Sequence, residues 1–529
     1  NLNRITQQDN RSLINTESFV VTLKYDPKIH TYPVEVKDSY GQISRSVYDY
    51  LHGVPVLQTD SNGNSIRIRI DQRGRDIEIA GPYEYNPLLS SGDDWIIRKQ
   101  YPGELAVAQQ TNGAGPADYR ISSAVGEFEA ISPGMANPVD AEHSAHTLHK
   151  DPLNPGNEFR TLGIVDGFGQ AIQLKKSHFM NGSTLVWQVS GKEKKDALGR
   201  IIEQYLPTTE SFSVQNTNYV PGTAGLPVII DYDDKDRQTR IQQPGENNAT
   251  IINYSLEENM MKTEVINENY QTQTTFMDVR GRIRKTVQNE ELATMFFYNA
   301  INEQIKLRTH NGSETHYFYD LAGRRVTEQH PDRGTTHYTY DKAGRLIHKE
   351  TANSLEQGAN HATAYKYDFG RLMEINYPDH PENNVIYEYG SGSSIRPIGP
   401  SFSNVGRITV QKDATGVQFF NYGKLGELVQ QKRGVAVAGK TFYWFETNWE
   451  YDSWGRIKKI IYPDNEKVFY GYDPAGQLKS IDTDLGNILN RSVPTSIVKE
   501  ITYTEFGERK SITYGNNTIN TYDYDNRRR

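Results

Sequence analysis

Cysteine is missing from this sequence of 529 residues. Its absence excludes a disulfide scaffold and any metal site built on thiolates, although a large fold can be exported without disulfides. No stretch approaches the roughly 20 apolar residues that a membrane-spanning helix needs, so no membrane span is expected. The sequence also starts at Asn1 without a signal peptide.

Long basic runs are missing as well. The 58 Lys and Arg residues face 66 Asp and Glu residues, for a net charge of -8, and basic clusters are as short as Arg527, Arg528 and Arg529. This balance argues against nucleic-acid binding. Neither a G-x-S-x-G nor an H-E-x-x-H motif occurs, and no carboxylate pair stands out among the regularly spaced aspartates. We therefore expect no enzyme activity, no cofactor and no metal, and keep a glycan-acting enzyme as the least favoured alternative.

Tyrosine and glycine are plentiful instead. The 34 tyrosines outnumber the 18 phenylalanines, and there are 43 glycines. Tyrosine suits the half-buried surface of a sheet, and glycine allows the positive φ of tight turns. The composition therefore favours strands joined by short turns.

The pattern Tyr-Asp-x-x-Gly-Arg recurs along the chain. Its clearest copies are Tyr319, Asp320, Gly323 and Arg324; Tyr340, Asp341, Gly344 and Arg345; Tyr451, Asp452, Gly455 and Arg456; and Tyr472, Asp473 and Gly476, where Gln477 replaces the arginine. Asp278, Asn299, Asp320 and Asp341 follow one another at 21 residues, as do Asp452 and Asp473. A fixed period of this kind indicates a repeat architecture.

Each copy predicts a β-hairpin. The alternating residues Thr336–Tyr340 precede one motif, and Arg345–Glu350 follow it. Between the strands, aspartate can accept hydrogen bonds from backbone N–H groups ahead of it, and glycine tolerates positive φ at the fourth turn position. Because a lone hairpin is marginal in water, we expect the copies to stack into one long antiparallel sheet that winds, one hairpin per step. The arginine after the glycine is expected to reach the carboxylate of a neighbouring turn.

Tandem units of this pattern and spacing resemble the YD or RHS repeat family. That family includes bacterial RHS polymorphic toxins, the B and C subunits of insecticidal toxin complexes, and animal teneurins. The resemblance covers residues 161–529 well and residues 1–85 weakly. Residues 133–205 are also similar to the region that leads into the repeats of proteins with an SpvB-like part, such as toxin-complex B subunits. This second likeness is carried by Gly134–Asp140, His149–Pro155, Val165–Gln170 and Trp187–Gly191.

The resemblance implies an all-β fold in which the repeats spiral into a hollow shell. In the toxin members the shell encloses a C-terminal payload, so the implied function is a structural shell around a toxin or other cargo polypeptide. A shell-closing or delivery-machine subunit is implied as a further partner, and a secreted or cell-surface location in bacteria. Many members carry an aspartate-dependent self-cleavage site, to which no residue here can be matched. The alternative is a cell-surface adhesion array of the teneurin kind.

The pattern divides the chain into three regions. Residues 1–85 are predicted to form N-terminal strands of the shell with weak YD-like turns. Residues 86–160 are predicted to be a loop-rich insertion or cap, with helix-like pieces at Glu104–Gln110 and Val139–His149. Residues 161–529 are the repeat shell. Because the last residues stop inside what resembles another repeat, the chain is expected to be an internal fragment.

Residues Gly434–Thr441 match the P-loop pattern letter for letter. A working P-loop needs a buried strand before it and a helix after it. The flanks here are the polar Gln430–Arg433 and the aromatic Phe442–Phe445. A hairpin loop is therefore preferred over nucleotide binding.

Two weaker patterns concern cations. His143, His146 and His149 would share one face of a helix and could bind zinc, but a polar surface helix is the preferred interpretation. Asp60–Asn64 resembles the start of a calcium loop. It lacks the glycine and glutamate that complete such a loop, and its Asn-Gly pair favours a hairpin.

Overall fold

The computed structural model is built almost entirely from antiparallel strands, as the alternating pattern predicted. It describes residues 7–11, 18–87, 94–100, 143–153, 158–165, 171–180, 184–213, 226–356, 358, 361–390, 402–437, 443–485 and 495–525. Its short helical pieces are α1, Ala352–Glu356, and a 3-10 turn, Pro381–Asn383. Among the described residues, no helix has the length and apolar character that crossing a membrane requires.

The first sheet has 13 strands, which lie side by side in chain order apart from the last. They are β1 Gln7–Arg11, β2 Ser18–Tyr25, β3 Pro33–Lys37, β4 Ile43–Asp49, β5 Val54–Thr59, β6 Ser65–Ile70, β7 Asp76–Ala80, β8 Ile97–Gln100, β9 His143–Lys150, β10 Glu158–Val165, β11 Ala171–Met180, β12 Thr184–Ser190 and β15 Thr208–Ser211.

The second sheet has 27 strands, again in chain order. They are β13 Glu193–Lys195, β14 Ile201–Tyr205, β16 Pro227–Tyr232, β17 Gln238–Gln242, β18 Thr250–Glu257, β19 Met260–Ile266, β20 Thr272–Met277, β21 Ile283–Gln288, β22 Leu292–Tyr298, β23 Gln304–Arg308, β24 Glu314–Tyr319, β25 Arg325–His330, β26 Gly334–Tyr340, β27 Leu346–Glu350, β28 Thr363–Asp368, β29 Arg371–Asn376, β30 Val385–Tyr389, β31 Ile408–Asp413, β32 Gly416–Tyr422, β33 Leu428–Val435, β34 Tyr443–Tyr451, β35 Ile457–Ile461, β36 Lys467–Tyr472, β37 Leu478–Thr483, β38 Thr495–Tyr503, β39 Arg509–Tyr514 and β40 Ile519–Thr521.

The expected single sheet is therefore divided in two. β13 begins the second sheet, whereas β15, later in the chain, returns to pair with β12 of the first. This exchange lies between residues 191 and 211, and β8, β9 and the start of β10 place part of residues 86–160 in the first sheet. The three-region division made from the sequence remains a prediction.

The ends of the strands form two margins, which we name by their turns. The YD margin carries the turns that open with the motif aspartate or its equivalent, such as Asp71–Arg75, Asp320–Arg324 and Asp452–Arg456. The return margin carries the turns that lead back, such as Asp38–Gln42, Asp60–Asn64 and Thr309–Ser313. The repeat thus places the motif turns that the structure describes along the same side of each sheet.

Most strand side chains are half-buried, and full burial is local. Leu162, Ile164 and Val189 are completely buried in the first sheet. In the second sheet, Val498 and Ile501 of β38 pack with Ile512 of β39. Stability in such an array therefore depends on many modest contacts between neighbouring strands rather than on one central core.

The helix predicted at Val139–His149 is wrong from His143 onward. Residues His143–Lys150 form β9, which pairs along its whole length with β10. Pairing with neighbouring strands overrides local preference here. Because strand side chains alternate, His146 and His149 lie on opposite faces rather than on one. The described residues hold no group of three or more His, Asp or Glu side chains that could bind a metal, and the helix predicted at Glu104–Gln110 lies outside them.

The P-loop and calcium-like segments both belong to hairpins. Gly434 lies in β33, and the chain resumes as β34 with Val435 opposite Tyr443. Residues 438–442 between them lie outside the described residues. Asp60 opens the turn between β5 and β6, and its Oδ1 accepts the N–H groups of Asn62 and Asn64 at 2.9 and 2.8 Å. A strand thus follows the glycine-rich segment where a P-loop would need a helix.

Candidate functional site: the YD turns and the seam between the sheets

The YD turn is a β-turn closed by its own aspartate. The N–H of Gly323 donates to the carbonyl of Asp320 at 3.0 Å, and the N–H of Asp320 donates to the carbonyl of Arg324 at 2.9 Å. Gly323 has a φ of 77°, and the strand register shifts by one residue at Tyr319. Oδ1 of Asp320 accepts the N–H groups of Ala322 and Arg324 at 2.9 and 3.0 Å. The chain therefore reverses through a type I turn followed by a glycine bulge.

The motif arginine joins its own turn to the next. Nε of Arg324 donates to Oδ2 of Asp320 at 2.7 Å, and its Nη1 donates to the backbone carbonyl of Asp341 at 2.8 Å. At this turn the neighbour contributes a carbonyl, whereas Nη1 of Arg200 reaches the carboxylate of the neighbouring turn that the sequence suggested, Asp236 Oδ1, at 2.7 Å. Hydrogen bonds from the backbone and side chain of Arg324 hold the pKa of Asp320 below its usual range. The same Nε–Oδ2 bond joins Arg345 to Asp341 at 2.6 Å and Arg456 to Asp452 at 2.5 Å.

The motif tyrosine ties its turn to the repeat before it. The hydroxyl of Tyr340 donates to the carbonyl of Arg325 at 2.9 Å, and Cζ of Arg324 lies 5.0 Å from the centre of the Tyr340 ring. An arginine over an aromatic face is attracted by the ring quadrupole. The equivalent hydroxyl bonds join Tyr319 to Gln304 at 2.8 Å and Tyr472 to Ile457 at 2.9 Å. Tyr451 ends β34 in the equivalent place, and burial raises its pKa.

Asp473 shows the turn without its arginine. Its Oδ1 accepts the N–H groups of Ala475 and Gln477 at 2.9 and 2.8 Å, and Gly476 has a φ of 83°. Gln477 stands where the arginine would, and its Oε1 is buried with no hydrogen-bond partner among the described residues. Burial raises the pKa of Asp473, which is the opposite of the shift at Asp320.

Asp26 closes a longer turn in the first sheet in the same way. Its side chain is fully buried, and its two oxygens accept five backbone N–H groups, those of Lys28, Ile29, His30, Thr31 and Tyr32, at 2.8 to 3.1 Å. Burial alone would raise the pKa of Asp26, but these hydrogen bonds outweigh it and hold the pKa well below its usual range. The sequence marks this position only by the dipeptide Tyr25-Asp26.

The return margin of the first sheet packs against the YD margin of the second, and we call this contact the seam. Its contacts run in the same order along both margins. They include the Tyr40 hydroxyl to the Asp368 carbonyl at 2.8 Å, the Val405 N–H to Asn62 Oδ1 at 2.8 Å, Lys424 Nζ to the Pro82 carbonyl at 3.0 Å, and His178 Nε2 with the Thr504 carbonyl at 2.8 Å. Ring contacts of Tyr40 with Phe19 and Phe369 extend the first of them.

The turn at Asp452 contacts the first sheet through both a tryptophan and an arginine. Nε1 of Trp454 donates to the carbonyl of Lys150 at 2.8 Å, and its ring lies 5.4 Å from the rings of both His149 and Phe159. Arg456 adds an ion pair with Asp151 to the one within its own turn. Burial, with the charge of Lys176, lowers the pKa of His149 to about 4. The imidazole that packs on Trp454 is therefore neutral at neutral pH.

Partners across the seam are separated by a similar length of chain throughout. The hydrogen bonds across the seam span from 304 residues, between Lys150 and Trp454, to 369, between Glu84 and Ser453. One margin of the strip therefore meets the other margin after a roughly constant length of chain. This is the geometry of a strip that winds as a spiral. The arrangement joins two lengths of sheet side to side through hydrogen bonds, ion pairs and ring contacts.

The sequence located the motif residues, and the structure shows which of them meet. Each motif tyrosine ends a strand, and each aspartate opens the turn that follows. Among the four clearest copies, the one at Asp452 is both complete and part of the seam, whereas those at Asp320 and Asp341 bind their neighbours along the margin. Sequence reasoning missed Asp26, Asp151 and Trp454. The last two carry no local signal, because their partners lie 304 and 305 residues away.

The solved structures of Tc toxins are similar to this chain. A crystal structure of TcdB2–TccC3 matches with a TM-score of 0.74 and 17% identity, over 96% of this chain and 27% of that one. The Photorhabdus luminescens Tc holotoxin pore, carrying a TccC3 point variant, matches with a TM-score of 0.74 and 16% identity, over 98% of this chain and 31% of that one. A crystal structure of TcdB2–TccC3–Cdc42 matches with a TM-score of 0.73 and 16% identity, over 96% of this chain and 29% of that one.

This chain thus spans less than a third of the length of the chains it matches. No protein-family model matches the sequence, and no curated protein does. At such low identity the likeness concerns the fold, and it agrees with the strand order, the YD turns and the seam described above. The chain therefore has the repeat fold of the Tc toxin shell structures, as its resemblance to the RHS/YD-repeat family implied.

Proposed function

We propose that this chain forms part of the wall of a toxin-complex-like shell, which encloses a toxin or other cargo polypeptide. The observation that supports the proposal most strongly is the seam, because it joins successive windings of the strip side to side. A wall that holds a polypeptide inside must leave no gap between windings through which a protease could pass. The motif turns would set the spacing of hairpins along each winding, and the seam would close the space between windings.

Location and partners follow from the same proposal. A secreted or cell-surface protein of bacterial origin would carry such a shell, and a shell-closing or delivery subunit would bind it from outside. We assign the wall a structural role rather than a catalytic one. The net charge of -8 favours neither a nucleic acid nor an anionic membrane surface as a partner.

Protease protection tests the enclosure. The intact polypeptide, purified with whatever it holds, would be digested as it stands, then denatured and analysed for surviving fragments. We expect a polypeptide segment without YD repeats to survive digestion. The double variant Trp454→Ala/Arg456→Ala, which loosens the seam, should expose that segment, whereas Arg324→Ala, at an equivalent motif position without a seam contact, should not.

Two results would overturn the proposal. One is that no segment outside the repeats survives in the unaltered protein. The other is that such a segment resists the protease equally well in the unaltered protein and in the double variant, although faster hydrogen exchange in β9 and β10 shows that the seam of the variant has opened. Hydrogen exchange in β24–β26, distant in sequence from both substituted residues, checks that the double variant still folds. A glycan panel on the same preparation tests the enzyme alternative, since turnover abolished by one carboxylate substitution would contradict a purely structural role.

A further inference from the structure

An open cavity lies at the return margin of the second sheet, where β33 and β34 extend past their neighbour. Val435 still pairs with Tyr443 there, whereas the pairing of β34 with β35 ends at Asn448 and Ile461. The cavity occupies the notch between the extended part of β34 and the turn Tyr462–Glu466. Its volume of about 450 Å³ is that of a small-molecule site. Its lining consists of Trp444, Phe445, Tyr462, Pro463, Asp464 and Glu466.

The aromatic side chains of this cavity are partly exposed to solvent. Trp444 and Phe445 are each 46% exposed, and Tyr462 is 38% exposed. The indole of Trp444 lies over Gly434, where an added Cβ would come within 2.9 Å of Cη2, and it stacks on Phe419 with ring centres 6.0 Å apart. The indole is therefore held in place by its own sheet, which lowers the entropy cost of binding a ligand against it.

Asp464 brings a carboxylate without a cation to the same cavity. Three return turns of the second sheet contain the pair Pro-Asp. In the first, Asp332 lies 4.0 Å from Nδ1 of His330, and in the second, Asp379 binds His361. In the third, Asp464 is exposed and forms no ion pair with any residue that the structure describes. The fold thus provides a histidine for two of these aspartates and leaves the third open.

Glu466 adds a second carboxylate to the lining. Its Oε1 accepts a hydrogen bond from Oγ1 of Thr483 at 2.6 Å, and within the described part of the chain it has no cationic partner. Trp444 already attracts one ammonium group, since Nζ of Lys432 lies 5.2 Å from its ring centre. Lys432 does not line the cavity, and Oε2 of Glu446, 4.0 Å from its Nζ, offsets its charge.

We propose that this cavity binds an organic cation of the quaternary-ammonium class, of which choline is the simplest example. The faces of aromatic rings attract such a cation electrostatically and contact its methyl groups. Asp464 and Glu466 supply the opposite charge. A neutral sugar could stack on the same rings, but two carboxylates without cations favour a charged ligand. The site lies apart from the seam contacts, so this inference does not depend on whether the wall encloses a cargo.

Saturation-transfer NMR on the intact protein tests the ligand class. Choline is the probe, and the control ligand is its neutral isostere, in which a tert-butyl group replaces the trimethylammonium. We expect saturation of the N-methyl protons of choline. The isostere should bind about fivefold more weakly, which is the factor for one charge contact in water. Equal binding of the two ligands, or no saturation of choline, would overturn the inference. Binding of neutral sugars in place of choline would do the same.

Two substitutions place the binding in this cavity. Asp464→Asn removes a charge without changing the size of the side chain, and should weaken choline binding about fivefold. Its matched control is Asp332→Asn, the same change in a Pro-Asp turn outside the cavity, which should have no effect. Trp444→Ala should weaken the binding of both ligands. If choline bound equally to Asp464→Asn, Trp444→Ala and the unaltered protein, it would bind elsewhere and the inference would be wrong. Unchanged hydrogen exchange in β33–β36 checks that Asp464→Asn retains the fold.

Vesicles distinguish two sources of the choline group. Flotation of the protein with phosphatidylcholine vesicles, lost in Trp444→Ala, would assign the cavity to a lipid headgroup. Binding of free choline without flotation would assign it to a soluble choline compound. Both results support a quaternary-ammonium site, and they differ in whether the cavity is open to a membrane surface.

Discussion

Arg456 donates through Nη2 to Oδ1 of Asp151 at 2.7 Å, although 305 residues separate the two in the chain. The Asp151 side chain is completely buried, and that of Arg456 is 14% exposed. The same guanidinium binds Asp452 within its own turn. One motif arginine therefore neutralises two aspartates and joins two windings of the strip.

Replacing this arginine should loosen the seam. Arg456→Ala removes the guanidinium that binds two buried carboxylates, and breaking comparable buried pairs costs about 3 kcal/mol. Hydrogen exchange in β9 and β10 should therefore become faster. The matched control is Arg324→Ala, which removes the same bond within a turn but no seam contact, and should leave β9 and β10 unchanged. Equal exchange in the two variants would show that the Asp151 contact adds nothing.

Asp26 should make the first sheet sensitive to acid. Because its folded pKa lies below the unfolded value, its stabilisation is present above the unfolded pKa and is lost as pH falls through the folded one. Asp26→Asn removes the charge that the five N–H groups bind, so the variant should be less stable than the unaltered protein at pH 7. The difference should shrink in strong acid. Urea midpoints at several pH values test this, and Asp332→Asn, at an exposed turn position, is the control.

Completing the motif at Asp473 should stabilise the protein. The folded pKa of Asp473 lies above its unfolded value, so the ionised carboxylate opposes folding as pH rises above the unfolded pKa. Gln477→Arg would supply the guanidinium that other turns have, close to His178 and Lys479. The urea midpoint should rise more at pH 7 than at pH 3. Gln477→Met, similar in length but without charge, should not reproduce that pH dependence; if it does, packing explains the gain.

The seam should weaken in mild acid. The pKa of His149 is about 4 in the folded state against 6.5 for the free side chain, so the folded state disfavours its protonation. Stability from this group is therefore full above pH 6.5 and falls as pH drops towards 4. His149→Gln should reduce the pH dependence of hydrogen exchange in β9, where Lys176, Thr161, Phe159 and Trp454 surround the imidazole. Burial also lowers the pKa of His146. Because His146 is present in both proteins, its contribution to the pH dependence is the same in each.

Interactions between residues close in sequence explain which parts of the fold could be predicted. The turn at Asp320 needs only residues within five positions, namely an aspartate acceptor, a glycine with positive φ and an arginine. The period of 21 residues then repeats that turn and the strands beside it. All-β structure, hairpins and the repeat fold were therefore predictable. That the fifteen motif residues hold the array together is still a prediction, which the arginine variants test.

Contacts between distant parts of the chain were decided only by the tertiary structure. No local pattern pairs Trp454 with Lys150, or Arg456 with Asp151, because spatial proximity arises from the winding of the strip. The same holds for β9. Its histidines have a helix-like spacing, but its hydrogen bonds with β8 and β10 make the segment a strand. The sequence by itself determined the turns and strands, since short-range hydrogen bonds and glycine conformation specify them. The division into two sheets and the seam followed from packing, which a single repeat does not encode.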